Sequence, residues 1–158
     1  MDNINIKTEG FAEFEEQLKA MAKGYRADLV ARNTLTKAVK VAMQPVLQTA
    51  ISLANYGENN RSGIHMRDTL KLEARIPNQA DNLSAFVKDS DAVIGIVSVK
   101  RSAVSLAYEF GTPKKGRAPH PFLRTALERN YTIVLSKLAS ELSWLIPAYA
   151  AKLNRKRK

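Results

Sequence analysis

Between Leu35 and Ala54 the residues Leu35, Val39, Ala42, Met43, Val46, Leu47, Ala50, Ile51 and Ala54 recur at three- and four-residue spacing. A strand cannot present such a row, because its side chains alternate faces at every step. A helix of 3.6 residues per turn stacks them into one stripe. The segment from about Arg26 to about Asn55 therefore reads as a long amphipathic helix that needs another layer to cover its apolar side. Pro45 falls inside it. A mid-helix proline removes one backbone hydrogen bond and crowds the carbonyl four residues back. The stripe continues in phase on both sides, so a kink is expected rather than a break.

The layers that could cover this helix lie on either side of it. Ile4 to Thr8 alternates briefly as a short first strand, and Phe14, Leu18, Met21 and Tyr25 then recur at helical spacing, in a helix that Gly24 is expected to end or bend. Tyr56 to Gly63 is a loop by composition. Leu70, Leu72, Ala74 and Ile76 alternate with Lys71, Glu73 and Arg75 as a half-buried strand. Leu83 to Lys88 alternates again, and Ala92 to Val99 reads as a more buried strand. From Pro121, placed in a first helical turn, Leu123, Leu127, Tyr131, Val134, Leu138, Leu142, Leu145 and Tyr149 form a near-heptad stripe. Pro147 is expected to bend or end that helix before Leu153. The expected fold is α+β: an antiparallel sheet of three to four strands packed against a long kinked helix and a long C-terminal helix. A chain of 158 residues makes one domain, 1–158, with a basic, frayed tail at 152–158.

Charge narrows the partners. The net charge is +10, and it is uneven: residues 1–79 hold 11 Lys and Arg against 9 Asp and Glu, residues 80–158 hold 14 against 6. The excess sits at Lys114, Lys115 and Arg117 and in the tail at Arg155, Lys156, Arg157 and Lys158. These seven are candidate contacts for DNA or an acidic partner, although a charge run at a helix end is more often simply solvated. There is no cysteine, which removes disulfides, thiolate metal sites and a cysteine nucleophile together. The opening MDNINIKTEGF lacks the basic start and apolar core of a signal peptide, and no apolar run approaches a membrane span. A protein made in the cytoplasm, with no membrane partner, is expected.

Catalysis finds little support. His65 and His120 lack a partner at metal-ligand spacing, and no nucleophile elbow or dinucleotide fingerprint appears. Gly111 and Gly116 around Lys114 and Lys115 lack the spacing and the following Ser or Thr of a phosphate-binding loop. Glu109 has no second carboxylate beside it, so it is expected to pair with Arg117, Arg124 or a neighbouring subunit, and Glu109→Gln is expected to leave the fold intact. No enzyme activity, metal or cofactor is expected.

One stretch remains, AYEFGTPKKGRAPHPFLRTAL, Ala107 to Leu127. Its Tyr108-Glu109-Phe110-Gly111-Thr112, a basic turn, then Ala118-Pro119-His120-Pro121-Phe122-Leu123-Arg124 and Ala126 resemble the signature of a tailed-phage family of tail-completion or head–tail joining (neck) proteins, often described as minor tail components. Upstream, Gly10-Phe11, the proline-containing helix, Arg61-Ser62-Gly63 with Arg67-Asp68-Thr69-Leu70, and Val93-Ile94-Gly95 are similar more loosely.

The resemblance implies a structural protein of the virion neck, made in the host cytoplasm. It implies a homo-oligomeric ring, commonly a hexamer, set between head-completion or connector proteins and the tail terminator or tube, with genomic DNA in its lumen. Tyr108, Glu109, Phe110, Gly111, Thr112, Pro119, Pro121, Phe122, Leu123 and Arg124 are then its packing and interface motif. The shared pattern covers neither the basic turn nor the tail. The alternatives are a tail terminator ring protein and a small basic nucleic-acid-binding protein, although no RNA- or DNA-binding motif stands out.

Overall fold

The computed structural model describes residues 29–56, 63–84, 87 and 93–156. The expected strand at Ile4–Thr8, the helix from Phe11, the interior of the Tyr56–Gly63 loop and the last two residues lie outside these. The described chain is α+β, with three α-helices and a two-stranded antiparallel sheet. Helix α1 spans Leu29–Leu53, strand β1 Lys71–Arg75 and strand β2 Ile94–Ser98. Helix α2 spans Ala103–Phe110 and the long helix α3 spans Leu123–Lys156.

Two apolar clusters join α1 to α3. Leu35 and Ala38 meet Leu142 and Ile146 in one, and Val46 and Ala50 meet Ala126 in the other. Numbers rise along α1 as they fall along α3, so the helices run antiparallel. The buried residues of α1 are Leu35 and then a row of small side chains, Ala38, Ala42, Val46, Ala50 and Ala54, at four-residue steps. Small residues on this row let α3 approach closely. Within the second cluster the buried Asn130 donates through Nδ2 to the half-buried Thr49 Oγ1 at 2.8 Å and to the Ala126 carbonyl at 2.8 Å. A buried amide is tolerated when its donors are satisfied in this way.

The sheet covers the other part of α1. Lys71 lies opposite Ser98 and Arg75 opposite Ile94, which places Leu72 against Val97 and Ala74 against Gly95 on one face. That face rests on α1. A Cβ built on Gly95 would come within 2.9 Å of both Val39 Cγ1 and Met43 Cγ, so the missing side chain is what lets the strand settle onto the helix. The strand expected to alternate across Leu70–Ile76 is β1, and the more buried strand expected within Ala92–Val99 is β2, Ile94–Ser98, half-buried from Ile94 to Val97.

Four expectations need correcting. Leu83 is not in a strand: it sits in a 3-10 turn, Asp81–Leu83, and is 92 % exposed. The Asn78 backbone N–H donates to Asp81 Oδ2 at 2.7 Å and the Asp81 N–H to Asn78 Oδ1 at 3.2 Å. These reciprocal bonds give the chain a turn instead of a ladder, the usual competition offered by short polar side chains. The described sheet accordingly has two strands.

Of the two outcomes expected at Pro147, a bend or an end, the end does not occur: α3 continues to Lys156, just as α1 continues through Pro45. A proline costs a helix interior about 3 kcal/mol. Leu142 and Ile146, both in the turns just ahead of Pro147, are buried in the seam and contribute about 1.5–3 kcal/mol each, which offsets it.

The seam keeps Leu123, Val134, Leu138, Leu142 and Leu145 of the expected stripe and departs from it in the second and third turns. Leu127 and Tyr131 are exposed, while Ala126 and Asn130 are buried. The buried row runs Ala126, Asn130, Leu142, Ile146 with Val134 and Leu138 packed between. Each four-residue step advances about 40° around the helix. The row therefore winds around α3, and a heptad template leaves it.

Finally, the chain after β2 does not run straight into α3. It forms α2 first. Ser102 caps this helix, accepting the Ser105 N–H at 3.0 Å through Oγ while its own N–H donates to Ser105 Oγ at 2.9 Å. Gly111 ends it at φ +76°.

Candidate functional site

The motif Tyr108–Arg124 folds as one device built on Glu109. Its side chain leaves the last turn of α2 and is buried, with the residue only 7 % exposed. Oε2 accepts the backbone N–H of Phe122 at 2.9 Å and of Leu123 at 3.0 Å, and Oε1 accepts the N–H of Arg124 at 3.2 Å. These are donors that the start of an α-helix leaves without intrahelical partners. Phe122, the residue in the capping position, has no side-chain acceptor to offer, so the cap comes from another helix. A carboxylate there also meets the positive end of the α3 dipole.

Glu109 was expected to be an ion-pair partner, and this is corrected in emphasis. Arg124 Nε lies 3.8 Å from Oε1 and its side chain is half exposed, so the pair is secondary to the three backbone bonds. Arg117 does not pair with Glu109: its side chain lies exposed on the turn beyond Gly111. Pro121 stands two residues ahead of Leu123, outside the helix, and its carbonyl accepts Thr125 Oγ1 at 2.6 Å.

The other motif residues hold α2 and α3 in this relation. Phe122 is 2 % exposed and fills the core beside the cap. The His120 N–H donates to the Tyr108 carbonyl at 2.7 Å, and Asn55 Nδ2 donates to Tyr108 Oη, which ties α2 to the chain leaving α1. Gly111 (φ +76°, ψ −179°) makes the corner, in a backbone region open in practice to glycine alone. A Cβ there would lie 2.9 Å from the Arg117 carbonyl oxygen and 3.0 Å from Pro119 N. Phe110 behaves differently: it is 64 % exposed, with the Arg124 guanidinium 5.9 Å from its ring centroid.

Beyond Gly111 the basic turn is a small pinned hairpin. The Thr112 N–H donates to the Arg117 carbonyl at 3.0 Å, and the N–H groups of Lys115 and Arg117 return to the Thr112 carbonyl at 2.9 and 3.3 Å. Gly116 takes φ +63° at the tip. Lys114, Lys115 and Arg117 are exposed on it. The tail cations named with them are elsewhere. Arg155 lies 32 residues along α3 from Leu123, about 48 Å at 1.5 Å per residue. The two basic groups therefore occupy opposite ends of α3; Arg157 and Lys158 lie outside the described residues.

His65, the remaining histidine, stacks on Tyr56 with ring centroids 3.7 Å apart, and Arg67 lies over the same ring at 3.8 Å. Both are packed against Tyr56. Among the described residues no cluster of His, Asp and Glu could hold a metal ion, and no helix is long and apolar enough to cross a membrane.

Reading the sequence alone missed Ser102, Ser105, Asn55, Thr49 and Asn130. The first two left a signal, a Ser-x-x-Ser box ahead of Gly111 that frames α2. The others did not, because each acts through a partner distant in the chain. Comparison with protein-family models, with curated proteins and with solved structures found no match.

Proposed function

We propose that this chain is a structural virion protein of a tailed phage, a tail-completion or head–tail joining component that forms a ring, commonly a hexamer, through which DNA passes. It acts by assembly rather than catalysis. Its partners are further copies of itself, the tail terminator or tube on one side and connector proteins on the other, and it resides at the neck. On this reading the sheet gains a third or fourth strand, with Ile4–Thr8 as the source.

The observation that carries the reading is the split within one motif. Glu109 and Phe122 are spent inside the subunit, holding α2 against the start of α3. Phe110 is left exposed next to them, and Leu127, Tyr131 and Leu135 continue along α3 at four-residue spacing, exposed as well. Large apolar side chains repeated on one helix face and set beside a rigid corner suit subunit contact, where aromatic anchors supply much of the binding energy.

Sedimentation and native mass measurement test it. The expected result is a ring, alone or in purified virions, that Phe110→Ser with Tyr131→Ser shifts toward monomer while helix content and melting temperature stay unchanged. A protein that is monomeric alone and absent from virions overturns the reading.

A further inference from the structure

We propose that the hairpin Thr112–Arg117 is a preorganised, sequence-blind contact for the phosphate backbone of duplex DNA, and that the basic tail is not. The inference relies on the neck reading for why DNA comes within reach, and on the hairpin alone for the chemistry.

Three cations stand within four residues, and all three are exposed. Among the described residues none of them forms an ion pair: the recorded pairs involve Arg67, Arg75 and Arg124. The nearest acid in the chain, Glu109, is buried and occupied by the α3 cap. Among the described residues the charge of the tip is therefore uncompensated.

Its backbone is also fixed. The three bonds between Thr112, Lys115 and Arg117, with Gly111 and Gly116 both at positive φ, hold the turn before any partner arrives. Binding then costs only the ordering of the three side chains. The base of the hairpin is fastened in turn to α3 through Glu109, so the cations project from a rigid corner and not from a loose loop.

The tip offers no large apolar or aromatic side chain: its residues are Thr112, Pro113, Lys114, Lys115, Gly116 and Arg117. A protein partner is normally held by buried apolar anchors with charge at the rim. Base recognition needs a helix or ribbon in a groove, or aromatic platforms. Cations alone, held in place, match what phosphate contacts require, which position a protein on DNA without reading sequence. The tail carries more charge but hangs from the far end of α3, about 48 Å away, so one short duplex crossing the hairpin does not reach it.

The test is titration of a labelled mixed-sequence duplex of about one helical turn, about 35 Å long and so shorter than the span to the tail, followed by anisotropy between about 50 and 200 mM salt. The variants are Lys114→Gln with Lys115→Gln and Arg117→Gln; the tail set Arg155→Gln, Lys156→Gln, Arg157→Gln and Lys158→Gln; and Gly116→Val. Each phosphate contact contributes about 0.9 to the slope of log K against log salt. The hairpin triple is expected to flatten that slope by between about two and three and to weaken binding at least about tenfold near 100 mM salt. The tail set is expected to bind like the wild type. Gly116→Val keeps every charge but forces a branched residue to φ +63°, and is expected to weaken binding as well.

Unchanged binding by the triple, a loss in the tail set equal to or greater than that of the triple, or no duplex binding by the wild type at about 50 mM salt overturns the proposal. The last outcome leaves the hairpin to an acidic protein neighbour. Ring mass is measured on the same samples. A ring that does not bind DNA sinks this inference alone, and a DNA-binding protein that is monomeric alone and absent from virions sinks the neck reading alone.

Discussion

Glu109 Oε2 accepts the backbone N–H of Leu123 at 3.0 Å, across 14 residues of sequence. That bond, with its neighbours to Phe122 and Arg124, makes the start of the longest helix depend on the last turn of the shortest one. The carboxylate has all its work inside the subunit, which changes what its replacement should do.

Glu109→Gln keeps the shape and removes the charge. The amide oxygen can replace Oε2 and accept from Phe122 and Leu123. The amide nitrogen then faces the Arg124 N–H, donor against donor, in a buried site. Leaving such a group unsatisfied costs about 1–3 kcal/mol, and the dipole term adds to that. The fold is expected to survive with stability lowered by about 1–3 kcal/mol, read as a drop in urea midpoint at unchanged slope. A midpoint equal to the wild type would show that neither the charge on the clamp nor the pair with Arg124 contributes to stability.

The pair formed by Arg75 and Asp81 makes a prediction in pH. Arg75 Nη1 and Nη2 donate to the two carboxylate oxygens of Asp81 at 2.5 and 2.8 Å, and Arg75 Nε lies 3.1 Å from Glu73. The hydrogen bond from Arg75, then that from the Asn78 N–H, holds the Asp81 carboxyl below its ordinary range, while Asp81 and Glu73 push Arg75 upward. A carboxyl whose folded value is lowered stabilises the fold above its unfolded value, near 3.8, and loses that contribution as pH falls through the lower folded value. The difference in melting temperature between wild type and Asp81→Asn is thus expected to be constant at neutral pH and to shrink below about pH 4. A difference that stays flat to about pH 2 would remove Asp81 from the acid response.

How much of this could be read from the chain depends on the range over which each residue acts. The stripe from Leu35 to Ala54 and the alternation around Leu72 and Val97 are local periodicities, and both elements are present as expected. On α3 the stripe holds at Leu123 and from Val134 to Leu145 but not at Leu127 and Tyr131, because these fit a heptad as well as Ala126 and Asn130 fit the observed four-residue row. Only the partner helix decides between them, and its small residues select the latter. Glu109 was singled out in the sequence, but its role was not legible there. A carboxylate near two arginines suggests an ion pair, whereas its actual partners are backbone N–H groups that carry no sequence signature. Leu83 was drawn into a strand by hydropathy, when Asn78 and Asp81 had already committed the chain to a turn.

Two glycines separate packing from backbone geometry, and their replacements should fail for different reasons. At Gly95 the backbone is ordinary, and the added methyl of Gly95→Ala meets Val39 Cγ1 and Met43 Cγ at 2.9 Å. Val39 is branched at Cβ and held in a helix, so it has little freedom to withdraw. The strand must lift from α1, at a cost of about 1–3 kcal/mol. At Gly111 the methyl of Gly111→Ala meets the Arg117 carbonyl oxygen at 2.9 Å, and the residue must also hold φ +76° with ψ −179°. Both penalties act together there, so Gly111→Ala is expected to be the more damaging, exceeding about 3 kcal/mol. The two should also differ in kind. Gly95→Leu is expected to be worse than Gly95→Ala, since it adds volume to a full contact, whereas Gly111→Leu and Gly111→Ala should be about equally poor, because the first carbon already makes the conflict. Urea unfolding of the four variants checks this. A Gly111→Ala protein as stable as the wild type would show that the corner between α2 and the hairpin does not need glycine.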